Sequence, residues 1–255
     1  IAGMASHFSV SFRKSFIGRV FVSLFDAQGM ACDTQQPELM FRPQWWRSDP
    51  ATLARCTVVC GCGGGSAVRE ALPVLLSRCP RLVLDADALN ALAADEGLAT
   101  ALRSRRLRGQ VTVLTPHPLE AARLLGSDVG AVQADRLQAA RTLAERQGCL
   151  VLLKGSGSVI ASPDGSLAIN PTGNGLLATG GSGDVLAGWI GGFWSQRAAS
   201  DGDAAAGLKA LAAAAWLHGR AADQELSRSP GSLALRAGDL SDVMRGLLAA
   251  RGAAS

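Results

Sequence analysis

A chain of 255 residues has the length of one large α/β domain or two small ones, which excludes a peptide-sized scaffold. Hydrophobic residues make up 48% and charged residues 18%, too apolar and too weakly charged for a disordered chain, yet no run reaches the roughly 18 apolar residues of a bilayer span. The formal charge of +4 has no Lys/Arg block behind it, so neither a nucleic-acid nor a membrane partner is expected.

Residues 1–18 read as an unmatched lead. They carry no charged start, long apolar centre or small-residue cleavage site, so no secretory signal is expected, and a cytoplasmic protein with six reduced cysteines is the expectation. Val20–Leu24 (VFVSL) reads as a short buried strand. A polar stretch with Pro37 and Pro43 leads to Trp45-Trp46, a pair suited to packing or self-association. Thr57–Cys60 (TVVC) is a strand ending in the turn Gly61-Cys62-Gly63-Gly64-Gly65, where small thiols fit and no second cysteine pair stands at zinc-site spacing. A helix comes next near Ala67–Ser77, then the strand Leu82–Asp85 and a helix through Leu89 and Leu92. Val111–Leu114 precedes a helix through Ala121–Leu125, and another helix spans Asp135–Arg146. Val151–Lys154 and Ser158–Ala161 are strands, with a hairpin-type turn at Pro163-Asp164-Gly165. Strands apolar on both faces, alternating with helices, predict a mostly parallel sheet covered on each side, in a single domain. In the last third, a glycine-dense loop from Asn170 runs into a helix ending near Gln196. Ala204–Ala222 is a long helix, and Leu240–Ala250 is a third with Asp239 as its candidate cap.

The strongest chemical signal is Gly180-Gly181-Ser182-Gly183-Asp184 ahead of the apolar-periodic run Val185, Leu186, Trp189, Ile190 and Phe193. Glycines at a helix start let N–H groups and the positive dipole end face an anion, and phosphate suits such a pocket. Asp184 reads either as an N-cap or as a base that orients or deprotonates an attacking hydroxyl. Lys154-Gly155-Ser156-Gly157-Ser158 either holds a nucleotide or is an exposed hairpin lysine; it is no Walker loop. In Thr115-Pro116-His117-Pro118, two prolines fix His117 at a strand's C-terminal end, where open α/β sheets bind ligands. Asp85 and Asp87 suggest a substrate-side wall plus a helix cap rather than a metal cage.

Four strings in order, VLDADALN, LTPHPLEAARLLG, VLLKGSGSVIASPDG and NPTGNGLLATGGSGDVLAGWIGGFWSQ, closely resemble the ADP/ATP-dependent NAD(P)H-hydrate dehydratases, of ribokinase-like fold. The resemblance covers Arg19 to Arg251. It implies repair of the S epimer of NADHX or NADPHX to NADH or NADPH, with ADP (or ATP) as co-substrate and Mg²⁺ as cofactor. It makes Asp184 the catalytic aspartate touching the hydrate, and places Gly63, His117 and Asn174 on the substrate side. Lys154, Gly155, Ser156, Gly157, Ser158, Gly181, Ser182 and Gly183 fall on the nucleotide side. It also implies a homo-oligomer, a tetramer in the family. The family's pattern starts with a longer segment, so a sheet without its first strand and helix is expected, with residues 19–255 as the ribokinase-like domain. Two alternatives stay open: a small-alcohol kinase of the same fold, of hydroxyethylthiazole or hydroxymethylpyrimidine type, and a truncated, non-catalytic nucleotide-binding homologue.

Overall fold

A computed structural model of the chain describes residues 20–25, 32–34, 36–47, 50–196, 203–231 and 235–252, and the lead at 1–18 lies outside them. The strands are β1 (Val20–Val22), β2 (Leu39–Phe41), β3 (Thr57–Cys60), β4 (Arg81–Leu84), β5 (Val111–Leu114), β6 (Leu150–Leu153), β7 (Val159–Ala161) and β8 (Leu167–Ile169). The helices are α1 (Pro50–Leu53), α2 (Val68–Arg78), α3 (Ala86–Ala93), α4 (Glu96–Leu107), α5 (Pro118–Leu125), α6 (Val129–Ala134), α7 (Arg136–Gln147), α8 (Ser182–Ser195), α9 (Asp203–Arg228) and α10 (Ala237–Gly252).

Strands β3 to β8 form one sheet in sequence order, with β3 to β6 parallel and β7 and β8 antiparallel beyond them. The pleat sends alternate residues to opposite faces. Leu82, Leu84, Val151 and Leu153 join one core with Leu72 of α2, Leu102 of α4 and Leu143 of α7. Val83, Val113, Leu150 and Leu152 join the other, with Ile190 and Trp194 of α8, Leu211 of α9 and Met244 of α10. Helices therefore cover both faces, as the doubly apolar strands predict. Each such side chain contributes about 1.5–3 kcal/mol on burial.

Some expectations shift. The buried strand read at Val20–Leu24 is shorter and half-buried, and it pairs in parallel with β2, a strand hidden in the polar stretch. Its three residues are too few to leave a periodic signal. Helix α9 runs on to Arg228, past the alanine-rich run, because Asp223–Arg228 contains no breaker. Helix α10 begins at Ala237, so Asp239 lies inside its first turn, paired with Arg236 at 2.8 Å, and is no cap. Trp46 is a core residue, its ring 4.9 Å from that of Phe25, and the half-buried Trp45 packs against the same core, so the tryptophan pair is spent on packing.

Parallel strands end at the same edge of a sheet, and here that edge collects the segment after each one: Gly61-Cys62 after β3, Asp85 after β4, Thr115–His117 after β5 and Lys154 after β6. Backbone bonds lace these segments together, from Asp85 N to Cys60 O (3.1 Å), Thr115 N to Leu84 O (3.2 Å) and Lys154 N to Pro116 O (2.8 Å). Gly61 makes the close approach workable. A Cβ there would sit 1.8 Å from the Asp85 carbonyl oxygen, and its φ of +122° suits only glycine.

Candidate active site

At this edge Lys154 Nζ donates to Asp85 Oδ1 at 2.8 Å, with the carboxylate side chain 1% exposed and the lysine 21%. Asp85 occupies the N-cap position of α3 but makes no side-chain cap bond, because its charge is committed to Lys154. The next residue, Ala86, is held at φ +46°, unusual for a non-glycine and costing about 1–3 kcal/mol. Asp87, expected as the cap of the same helix, instead accepts from Gly65 N at 2.8 Å and ties α3 to the glycine turn after β3.

The GGSGD turn closes on this pair from the other face of the sheet. Gly181 is the N-cap of α8 in the left-handed region (φ +85°), which puts Asp184 in the first turn of the helix and removes the capping reading for it. Gly183 faces the ion pair directly: an added Cβ would lie 3.2 Å from Lys154 Nζ and 3.7 Å from Asp85 Oδ2. The Ser182 amide is spent on Thr179 O and the Val185 amide on Gly181 O. Among the described residues, the Gly183 and Asp184 N–H groups of the first turn have no backbone acceptor and stand as free donors. The Ser182 hydroxyl is likewise engaged, at 2.7 Å from Leu177 O.

Ligating atoms of Asp184, Asp85 and Cys62 lie within 4.8 Å of one another. Burial raises the Asp184 carboxyl above its ordinary value; a Cys62 hydrogen bond pulls it back, Asp85 pushes it up and Lys154 draws it down. Burial, reinforced by the two carboxylates, holds the Cys62 thiol well above its ordinary value, so it remains an S–H donor. A phosphate-bearing ligand would therefore meet two backbone donors and one ammonium group beside a carboxylate that can exchange a proton.

The sequence model of the NAD(P)H-hydrate dehydratase family matches residues 10–245. The chain belongs to that family. It is 41% identical over 192 residues to the ADP-dependent (S)-NAD(P)H-hydrate dehydratase of Neisseria meningitidis, covering 74% of this chain and 61% of that one. It is 47% identical over 165 residues to a bifunctional NAD(P)H-hydrate repair enzyme of Moorella thermoacetica, covering 64% of this chain and 28% of that one. The chain thus spans less than two thirds of either relative's length. Among solved structures, the Bacillus subtilis ADP/ATP-dependent NAD(P)H-hydrate dehydratase, co-crystallized with ATP/Mg²⁺ and soaked with CoA, matches with a TM-score of 0.62. Identity is 28%, over 83% of this chain and 73% of that one. The ribokinase-like architecture expected from the motifs is the one present.

In this dehydratase-family chain, the remaining residues singled out in the sequence are held mostly by local contacts. Gly155 takes φ +143°, and Arg136, the first residue of α7, packs on it while donating to the carbonyls of Ser156, Leu153 (3.2 Å) and Lys154 (3.3 Å). Gly157 sits at φ +62°, and Ser158 Oγ donates to Gly155 O at 3.0 Å, so the strip is internally braced. Gly63, at φ +61°, has open space around it. His117 caps α5: its Nδ1 accepts from Leu119 N (3.1 Å) and Glu120 N (3.2 Å), and Glu120 Oε2 accepts from His117 N at 2.8 Å. Its side chain stays 46% exposed, with Nε2 3.3 Å from Glu120 Oε1. Asn174 accepts from Leu176 N at 3.0 Å and donates to Asp223 of α9 at 3.2 Å, which commits it to holding its own loop.

Four side chains at the candidate site escaped the sequence reading of chemistry: Cys62, Arg136, His218 and, in its partner role, Asp85. His218, on α9, is buried with Nε2 3.0 Å from Ser182 O. Spacing from Lys154 or Asp184 gives no hint of these contacts, since each is made by a residue distant in the chain. The doublet Asp85-x-Asp87 was the one signal that marked Asp85.

Proposed function

We propose that this chain is an ADP-dependent (S)-NAD(P)H-hydrate dehydratase, repairing NADHX and NADPHX to NADH and NADPH while ADP becomes AMP and phosphate. The observation that carries the reading is Asp184 in the first turn of α8, beside two free backbone donors and the Lys154 ammonium. The family and the ADP-dependent Neisseria relative support the choice of reaction. Residues 19–255 act as one catalytic domain in this reading, assembled as a homo-oligomer.

Hydroxide leaves the hydrated ring badly, whereas phosphate leaves well. Asp184 accepts the hydroxyl proton of the hydrate as that oxygen attacks the terminal phosphorus of ADP. The bond from that phosphorus to the bridging oxygen breaks, and AMP departs. The ring-nitrogen lone pair then expels phosphate from the ring carbon, and loss of a proton from the adjacent carbon restores the dihydropyridine. The amides of Gly183 and Asp184 face the charge on the transferring phosphoryl group, each such donor being worth about 2.7–4 kcal/mol in comparable sites. Lys154 and the strip to Ser158 hold the nucleotide, while Gly63 and the exposed edge of His117 line the dinucleotide side and Asn174 braces the loop that precedes the glycine turn. Next to the glycine turn, a cleft of about 170 Å³ lined by Gly65, Ser66, Arg69, Asp87, Asn90 and Ala91 extends that side. The acidic pair does not make a resident Mg²⁺ cage, because Asp85 is neutralised by Lys154 and the third nearby donor is a thiol, a poor magnesium ligand. Magnesium would come bound to the nucleotide, where it would shield the phosphate charge.

Incubating the purified protein with NADHX, Mg²⁺ and either ADP or ATP, and following NADH absorbance, tests reaction and nucleotide together. Recovery of NADH with stoichiometric AMP is expected. In a parallel incubation with ATP, Mg²⁺ and hydroxyethylthiazole or hydroxymethylpyrimidine, a phosphorylated alcohol together with no NADH recovery in the first would replace the reading with the kinase alternative, and ADP binding without turnover in either would replace it with the non-catalytic one.

A further inference from the structure

Helix α9 reaches behind the nucleotide turn. Its Ala215 and Trp216 carbonyls accept from Asn170 Nδ2 (3.0 Å) and Thr172 Oγ1 (2.9 Å), and Asp223 accepts from Gly173 N (3.2 Å). Gly219 allows this contact, since a Cβ there would lie 2.2 Å from Thr172 Oγ1. Within the same stretch His218 is 7% exposed, and its Nε2 lies 3.0 Å from Ser182 O. A carbonyl oxygen can only accept, so the imidazole carries its proton on Nε2. Burial lowers its pKa to about 4, which keeps the ring a neutral single donor at ordinary pH.

The peptide joining Ser182 and Gly183 is planar and trans, so its C=O and its N–H point in opposite directions. Fixing the Ser182 oxygen on α9 therefore fixes the direction of the Gly183 N–H, which faces away from His218. The vacant Cβ position of Gly183 looks onto Lys154 Nζ. We propose that His218 is a positioning residue of the nucleotide site, aiming the Gly183 amide at the phosphate through its bond to the Ser182 carbonyl. The inference rests on the nucleotide reading of the turn, and it adds a residue that touches neither substrate nor nucleotide.

Two measurements test it. In the wild-type protein, ¹⁵N NMR of His218 is expected to report the Nε2–H tautomer; an Nδ1–H tautomer overturns the proposal without reference to activity. Calorimetric titration with ADP and Mg²⁺ is then compared for wild type, His218→Leu, which has no donor, and His218→Gln, which returns an N–H at similar reach. ADP affinity is expected to fall about tenfold in His218→Leu, the scale of one misaimed hydrogen bond to a charged group, and to return to within about threefold of wild type in His218→Gln. In steady state the nucleotide KM carries the change while the hydrate KM stays put. If His218→Leu fails to fold, the comparison of wild type with His218→Gln and His218→Met decides the matter in the same terms. Wild-type affinity in a folded donor-free variant overturns the role of His218 alone, whereas failure of the wild type to bind ADP overturns the nucleotide reading beneath it.

Discussion

Removing Lys154 exposes how much of this site is held by one ion pair. The substitution Lys154→Met keeps most of the aliphatic stem and deletes the charge that lies 2.8 Å from Asp85 Oδ1. Asp85 is 1% exposed, so its carboxylate would be left in the interior without a cation, and breaking a buried pair from one side costs about 3–5 kcal/mol. Because the lysine end keeps 21% exposure, water reaches the vacated spot and the lower figure, about 3 kcal/mol, is expected. Urea unfolding at pH 8 measures it, with an unchanged m-value confirming that the compactness of both states is unaltered. Adding Asp85→Asn removes the stranded charge, so the double variant is expected to regain about 1–2 kcal/mol over Lys154→Met alone. A single-variant cost below about 1 kcal/mol, or a second substitution that destabilises further, would show that the pair does not hold the site as described.

For Asp184→Asn we expect unchanged ADP affinity with turnover nearly lost; steady-state rates within about threefold of wild type would remove the base assignment. Because burial raises the Asp184 carboxyl and the mechanism uses its ionised form, the acid limb of kcat/KM is expected above the ordinary carboxylate value, and a limb at or below it would contradict the geometry. His218 predicts an acid instability. With a folded value of about 4 against 6.5 in the unfolded chain, the unfolded state binds a proton that the folded state refuses. Stability should thus decline as pH falls from 6.5 and level off below about 4, by about 3 kcal/mol at most, and His218→Gln should flatten that part of a denaturation-midpoint profile. In Gly183→Ala the new methyl reaches Lys154 Nζ at 3.2 Å, so a several-fold rise in nucleotide KM with little change in melting temperature is expected; an unaltered KM would mean that Lys154 does not face the nucleotide.

Much of the fold was legible because its strands are apolar on both faces and its helices carry caps and glycine stops. Asp135 accepts an N–H at the start of α7, and Gly126 and Gly148 end α5 and α7 in the left-handed region, whereas α4 and α6 went unread although Asp95 and Asp128 cap them. Where local signals were weak, the three-residue β2 was missed altogether and the start of α10 was misplaced. In the site, the glycine turn and the place of Asp184 beside it were readable from spacing, because glycines clustered ahead of an apolar-periodic run mark a helix start. The same proximity in sequence hid other roles. His117 and Asn174 stood out as motif residues, and both side chains make local cap bonds that any helix start of that composition can form.

What the sequence by itself determined is therefore local: which segments extend, which coil, and where glycines open the backbone at a helix start. The partners were decided only by tertiary structure. Asp85 meets Lys154, Cys62 meets Asp184, Arg136 meets the Ser156 carbonyl, and His218 meets the Ser182 carbonyl. Each pair joins residues far apart along the chain. Such contacts depend on parallel strands sharing one edge and on α9 packing behind α8, and burial then sets the protonation of the groups they enclose.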